Sequence, residues 1–270
     1  MKLTQLSLVN FKNHLSLTLK VDSEVVAISG LNGKGKTNVL DALNVICLGK
    51  SYFSGTDVQC INDNKNESGI IAEIEHENEL DKLKVKFKRG GRKAIERNGI
   101  KTVKLLDHIG RYFAVVIAPQ DIELIYGANE TRRTLVNRIL SQLDRGYAQS
   151  ISSYKKLIEH RNRHLKSEDV DPTLLESFDQ QMAPLAGQIF KARSAFFVDF
   201  STVFNSYYNQ LSSENEIVEV QYWSQLSQNN YLDLTKQNLA KDIAVGRSFS
   251  GTHKDEISLI INGNSLKKYG

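Results

Sequence analysis

Residues 30 to 38 read GLNGKGKTN, that is Gly30-Leu31-Asn32-Gly33-Lys34-Gly35-Lys36-Thr37-Asn38. A glycine, four residues, then Gly-Lys-Thr is the spacing of a P-loop, a turn that wraps the phosphates of a nucleoside triphosphate. Glycines at 30, 33 and 35 permit backbone angles that point successive N–H groups at phosphate oxygens. A helix starting near Lys36 adds its positive N-terminal end. In such a loop Lys36 reaches the β- and γ-phosphates and the Thr37 hydroxyl holds Mg²⁺. ATP with Mg²⁺ is therefore the expected cofactor, cradled by residues 30–38. Lys34 reads as a solvated side chain or as a further phosphate contact.

The flanks suit the loop. Val25 to Ile28 is a short continuous apolar run, the pattern of a strand buried on both faces. Val39, Leu40, Leu43, Ile46 and Cys47 recur at helical spacing, and Gly49 is a natural stop. Leu15, Leu17, Leu19 and Val21 alternate with polar neighbours, as do Ile70, Ala72 and Ile74, then Leu83, Val85 and Phe87. Asn98-Gly99 marks a hairpin turn in this β meander. Tyr112 to Ile117, YFAVVI, reads as another buried strand, halted by Pro119.

From about Glu130 the pattern turns helical. Leu135, Val136, Ile139, Leu140 and Leu143 mark one helix, and Tyr147, Ile151, Tyr154 and Ile158 a second. A longer one opens at Asp171-Pro172, with a stripe from Leu175 through Phe178, Met182, Leu185, Ile189, Phe196, Phe200, Val203 and Tyr207 to Leu211, kinked at Pro184. Val218, Val220 and Tyr222 alternate again, as do Ile257, Leu259 and Ile261 before the turn Asn262-Gly263. The expected division is a nucleotide-binding α/β lobe with its meander at 1–125, a helical lobe at 126–246, and a return to β structure at 247–270.

Composition is that of a globular chain: 270 residues, 40% apolar, 24% charged and a formal charge of +4. No apolar run spans a membrane, and MKLTQLSLVN lacks the apolar core of a signal peptide, so a cytoplasmic protein is expected. Cys47 and Cys60 have neither metal-ligand nor disulfide spacing.

Hydrolysis also needs an acid at the tip of a buried strand to complete the Mg²⁺ shell. Asp121, after AVVIAPQ, is the one candidate, displaced by Pro119 and Gln120. A self-contained P-loop NTPase or kinase using Asp121 is thus one reading, and an interaction module with a vestigial loop is another. A GTPase does not fit: Asn64-Lys65-Asn66-Glu67 lacks the guanine-reading aspartate and precedes Asp107-His108-Ile109-Gly110, the reverse of the required order.

Five segments then fall into one pattern. Asn10-Phe11-Lys12-Asn13-His14 is similar to NFRNH, and GLNGKGKTNVLDAL to a matching loop and helix. Ala118-Pro119-Gln120-Asp121 with Glu123-Leu124-Ile125 and Arg132-Arg133 is similar to SPEDLELI…RR. Tyr154, Leu157 and Arg161-Asn162 follow Y…L…RN, and Gly251-Thr252-His253-Lys254-Asp255-Glu256 follows GPHRDD. In this order, across nearly the whole chain, they resemble the RecF family of bacterial recombination-repair ATPases, of the ABC/SMC-like class. The resemblance implies an α/β fold, an ABC-type P-loop nucleotide-binding lobe with a β meander plus an inserted helical lobe. It makes Gln120 a Q-loop residue near the γ-phosphate and Mg²⁺, removes Asp121 from the Walker B role, and puts Lys12 near the nucleotide. It implies an ATP-dependent homodimer that binds DNA at single-strand gaps or junctions and works with recombination mediator proteins to load the recombinase. The family's SQGQ-like signature, Walker B strand and D-loop do not occur in these 270 residues, so incomplete nucleotide binding without turnover is expected. Thr252 and Lys254 stand where the family has proline and arginine, which leaves the role of that motif open.

A nucleic-acid surface has one main candidate. Lys82, Lys84, Lys86 and Lys88 alternate with Leu83, Val85 and Phe87, so one strand face carries a row of ammonium groups, extended by Arg89, Arg92, Lys93 and Arg97 with only Glu96 opposing. Such a row can track DNA phosphates or merely guard a sheet from edge-to-edge pairing. Arg161, Arg163 and Lys166 form a second cluster, read as a solvated helix face.

Overall fold

Alternating side chains give the first hundred residues a sheet with one dry face. The computed structural model describes residues 1–76, 79–212 and 216–269, and the chain divides into units Met1–Ile117 and Ala118–Gly270. In the first unit six strands pair antiparallel: β1 (Lys2–Phe11), β2 (His14–Lys20), β3 (Glu67–His76), β4 (Glu79–Lys88), β5 (Ala94–Arg97) and β6 (Ile100–Lys101). Their order is β2-β1-β3-β4-β5-β6. Leu6, Leu8, Ile70, Ile74, Leu83, Val85 and Phe87 form the buried core together with Val39, Val45 and Ile46 of helix α1 (Lys36–Leu48). Each such side chain removed from water contributes roughly 1.5–3 kcal/mol. That layer fixes the helix whose first turn carries Lys36 and Thr37. Gly49, at φ 68°, stops α1 as expected, and Asn98-Gly99 turns the chain at φ 52° and 81°.

Two expected strands do not form. Residues 25–28 and 112–117 have irregular backbone and pair with no strand among the described residues. Val25, Val115 and Ile117 are each at least 85% exposed. A continuous apolar run becomes a buried strand only where strands flank both its edges, and the six-stranded sheet supplies none to either run. Tyr112 is the exception and is buried. Its hydroxyl donates to the buried Asp81 carboxylate at 2.5 Å, which also accepts from Asn98 Nδ2 at 2.8 Å.

The second unit holds helices α2 (Glu123–Tyr126), α3 (Asn129–Leu143), α4 (Arg145–His164), α5 (Pro172–Leu211), α6 (Tyr231–Val245) and α7 (Leu266–Tyr269). A small antiparallel sheet runs β7-β8-β9, from β7 (Val218–Trp223), β8 (Glu256–Ile261) and β9 (Asn264–Ser265). Asp144 caps α4 by accepting from Gly146 N and Tyr147 N, and Asp171 caps α5 ahead of Pro172. Helix α5 continues as one element through Pro184, the position of the expected kink. Its stripe is packed as far as Phe200, whereas Val203, Tyr207 and Leu211 are exposed. Helix α6, between the cap Asn230 and Gly246 at φ 69°, has no clear apolar period in the sequence. Gly270, at the end of the expected return to β structure, lies outside the described residues. Among the described residues no helix is long and apolar enough to cross a membrane.

Two buried guanidinium groups knit this unit. Arg161, 1% exposed, donates to Asp179 (2.8 and 3.1 Å), to Asp242 (2.7 Å) and to Ser248 Oγ (2.7 Å). Arg193, equally buried, donates to Asp255, to Asn137 Oδ1 (2.9 Å), to Tyr147 Oη (3.2 Å) and to the Thr252 carbonyl (2.8 Å). Arg161 therefore does not belong to a solvated helix face, because Tyr154, Ile158 and Leu165 share its side of α4 and draw it inward.

His253 closes the same region. Its Nε2–H donates to the Ser248 carbonyl (3.2 Å), so Nδ1 accepts from the Tyr154 hydroxyl (3.0 Å), and the neutral ring is satisfied. Burial pushes its pKa down to about 4. Between the ordinary value near 6.5 and this one, the unfolded chain takes a proton that the folded chain refuses, so stability falls as pH falls. Wild type should lose about 2 kcal/mol more than His253→Gln between pH 7 and pH 4.5. Urea denaturation at the two pH values measures it, and parallel losses in both chains would refute it.

Candidate nucleotide site

The P-loop of the first unit is built onto the tip of a hairpin. Strands β1 and β2 close at the pair Phe11–His14, leaving Lys12-Asn13 as the turn. From there Asn13 Nδ2 donates to the Gly33 carbonyl (3.1 Å) and His14 Nε2 to the Gly35 carbonyl (3.0 Å). Asn38 Nδ2, on the first turn of α1, donates back to Asn13 Oδ1 (2.7 Å). Gly30, Gly33 and Gly35 take φ of 144°, 77° and 87°, angles that favour glycine. Gly35 caps α1, and a methyl group there would sit 2.3 Å from Asn13 Oδ1 and 2.5 Å from His14 Nε2. At Gly30 and Gly33 it would meet no heavy atom within 4 Å, so that part of the loop is open.

Lys36 Nζ donates to the carbonyls of Gly30 (2.8 Å) and Leu31 (2.9 Å), which spans it across the loop. Leu31, Asn32, Lys34 and Thr37 are exposed around it. Lys12 is bound to the buried Asp41 carboxylate at 2.6 Å, and Asp41 also accepts from Ser51 Oγ and Tyr52 N, both at 2.6 Å. The Lys12 ammonium therefore serves α1 and the segment after it. The donor set fits a magnesium triphosphate: an ammonium over the loop, a helix N-terminus and a threonine hydroxyl. Among the described residues no group of three His, Cys, Asp or Glu is placed to hold a metal. Mg²⁺ commonly relies on phosphate oxygens, water and few protein ligands, so Thr37 with a bound triphosphate suffices.

Gln120 and Asp121 sit in a 3₁₀ turn, Pro119–Ile122, in the second unit. The Asp121 carboxylate accepts from Ala118 N at 2.7 Å, closing its own turn, and no strand leads to it. The lysine row faces one side of the meander, but with carboxylates on the same face. Lys82 pairs with Glu73 (3.3 Å), Lys86 with Glu96 (3.4 Å) and Lys88 with Glu67 (2.9 Å). Lys93 pairs with Asp57 (2.8 Å), and Arg89 donates from Nε to the Lys65 carbonyl (2.9 Å). Lys84 lies in register with Glu96, and Arg92 is on the exposed turn between β4 and β5. Sequence reasoning missed Asn13 and His14 as supports of the loop and Asp41 as the partner of Lys12. The signal for Asp41 was a carboxylate on the apolar face of α1 beside Ala42 and Val45.

A P-loop held at the head of a helix defines a P-loop nucleotide-binding domain, and the family described as "AAA domain" matches residues 5–243. The DNA replication and repair protein RecF of Flavobacterium johnsoniae is 35% identical over 274 residues, covering 100% of this chain and 76% of that protein. RecF of Porphyromonas gingivalis is 32% identical over 273 residues, covering 100% and 75%. The chain belongs to the RecF family. A solved structure of the recombination mediator protein RecF with ATP, of the RecFOR pathway, shares its fold, with a TM-score of 0.92 at 24% identity over 100% of this chain and 75% of that one.

Proposed function

We propose that this chain is an ATP-switched DNA-repair protein. ATP with Mg²⁺ binds at residues 30–38, two copies associate in that state, and the dimer holds DNA at single-strand gaps or junctions, in the cytoplasm and with recombination mediator proteins. The observation that carries the reading is the hairpin-held loop with Lys36 spanning it. The relatives' name, DNA replication and repair protein RecF, supports the process. The ATP-bound mediator that shares this fold supports the cofactor. On triphosphate binding Lys36 exchanges two carbonyls for phosphate oxygens, a stronger, charge-assisted set of bonds. Asn13 and His14 keep the loop in shape while it does so. No observation favours the self-contained enzyme, since Asp121 is spent on its own turn.

Sedimentation and retention on gapped DNA, each with ATP·Mg²⁺, ADP or no nucleotide, test the proposal. ATP should raise both the dimer fraction and retention; equal values in all three conditions would sink it. For the DNA surface, phosphates would have to displace Glu96 and Glu67 from Lys86 and Lys88. Reversing Lys84, Lys86 and Lys88 to Glu should lower the slope of log affinity against log salt by about 1–3, and an unchanged slope would remove this face from the interface.

A further inference from the structure

Glutamates answer most of the meander's lysines, but a second group of cations, in the second unit, has no such partners. Lys241 stands near the end of α6, and Arg247 follows the Gly246 turn that stops it. Lys254 ends the turn Thr252–Lys254 of the GTHKDE motif. All three converge on one ring. Lys241 Nζ lies 4.2 Å from the centre of Phe249, the Arg247 guanidinium carbon 4.9 Å and Lys254 Nζ 5.2 Å. Lys241 and Arg247 are exposed, and Phe249 and Lys254 are half-buried. Among the described residues no carboxylate is within ion-pair distance of any of the three.

The carboxylate that acts on Lys254 is Asp242. It is fully buried, and its oxygens accept from Arg161 and from Phe249 N. Asp179 and Asp242 outweigh Arg161 by one negative charge, so the three cations above keep an excess of about two. Burial, then Arg247 and Arg133, lowers the pKa of Lys254. The backbone holds this group in place. Arg247 N donates to the Asp242 carbonyl (3.2 Å), and the Phe249 carbonyl accepts from Gln225 Nε2 (3.2 Å). An aromatic face attracts each cation only modestly, and the cations repel one another. Such a gathering gains most from an anion outside the chain. Lys166 belongs to the same patch, since its Cγ lies 3.4 Å from where a methyl group on Gly246 would sit.

We propose that Lys241, Arg247 and Lys254, set around Phe249, form a surface that takes the phosphodiester backbone of DNA. The inference rests on the DNA reading given above and names residues of the second unit that meet the backbone, apart from the lysine row of the meander. The ring occupies the point on which the cations converge, so no single small anion sits among all three. An extended polyanion offers each of them its own phosphate, and DNA is the polyanion that the proposed function supplies. No carboxylate has to be displaced first, in contrast to Lys86 and Lys88. Contacts of this kind position the duplex or strand without reading its bases.

The test uses the whole chain and gapped DNA with ATP·Mg²⁺, its affinity measured across a range of salt. Lys241→Gln, Arg247→Gln and Lys254→Gln together should lower the slope of log affinity against log salt by about 2–3. Should the half-buried Lys254 be needed for folding, Lys241→Gln with Arg247→Gln, both exposed, should lower it by about 1–2. The control removes as much charge from exposed positions elsewhere in the unit, through Lys156→Gln, Lys191→Gln and Lys236→Gln, and should keep the wild-type slope. An unchanged slope in the first two variants, or an equal fall in the control, overturns the proposal. Loss of poly-glutamate binding with DNA binding intact also overturns it, giving the surface to an acidic polypeptide. A wild-type chain that retains no gapped DNA sinks the DNA reading and this surface together, whereas retention with an unchanged slope sinks the surface alone.

Discussion

Arg161→Ala should destabilise the second unit by about 3–5 kcal/mol, the largest effect of any single substitution considered, because it strands buried carboxylates without their cation. Asp179 and Asp242 both converge on this guanidinium, and Asp242 has no exposed surface. Burial raises the Asp179 pKa even against Arg161, so removing the cation pushes it further up. The loss would reach beyond α4. Asp242 also accepts from Phe249 N (2.9 Å), and Ser248 is held by Asn162 (2.8 Å), so the segment leading into GTHKDE hangs from the same node. The chain's single tryptophan, Trp223 on β7, reports on this unit. Urea denaturation followed by its fluorescence measures the change. A loss below about 1 kcal/mol would mean that the node behaves like a surface pair. The triple change Arg161→Met, Asp179→Leu, Asp242→Leu should recover much of the stability, since an apolar cluster has no charge to desolvate.

The second large effect belongs to the loop. Gly35→Ala should weaken ATP binding on the order of 100-fold, equivalent to about 3 kcal/mol. The left-handed backbone at φ 87° costs a non-glycine residue about 1–2 kcal/mol. The added methyl group also overlaps Asn13 and His14, breaking two hydrogen bonds worth about 1 kcal/mol each. Gly33→Ala has the same backbone problem at φ 77° but no neighbour within 4 Å, so it should lose only about tenfold. Titration calorimetry with ATP·Mg²⁺ gives both values. Equal losses at the two glycines would mean that the hairpin does not shape the loop.

Much of the fold was legible wherever one element's own period decides it. Helix α1, the meander and helices α3 to α5 follow from spacing alone. The runs at 25–28 and 112–117 were misjudged because a buried strand is a property of its neighbours as well as of its residues, and the sheet gave these runs none. The P-loop could be read as a motif, but not its support, since Asn13 and His14 reach Gly33 and Gly35 across about twenty residues of sequence. Arg161 looked like surface charge, and Arg193 drew no reading at all. Yet each lies on an apolar helical face, one with Tyr154, Ile158 and Leu165, the other with Ala186, Ile189 and Phe197, and that periodicity was a usable warning. The lysine row was correct as a pattern and incomplete as a charge count. Its glutamates come from β3 and β5, and only the register aligns them with it.

The hairpin that holds the loop has a bearing on which sequence changes this domain can absorb. Strand pairing moves in whole residues, and a slip of one turns every side chain to the opposite face. Asn13 and His14 therefore meet the loop carbonyls only in a single alignment of the two ribbons that end in them. Outward-facing positions such as Ser16 and Thr18 can drift in chemistry at little cost, whereas one residue inserted or deleted between Phe11 and Lys20 would carry both polar fingers away from the loop at once. Over evolutionary time the ribbon's length should be guarded more strictly than its composition.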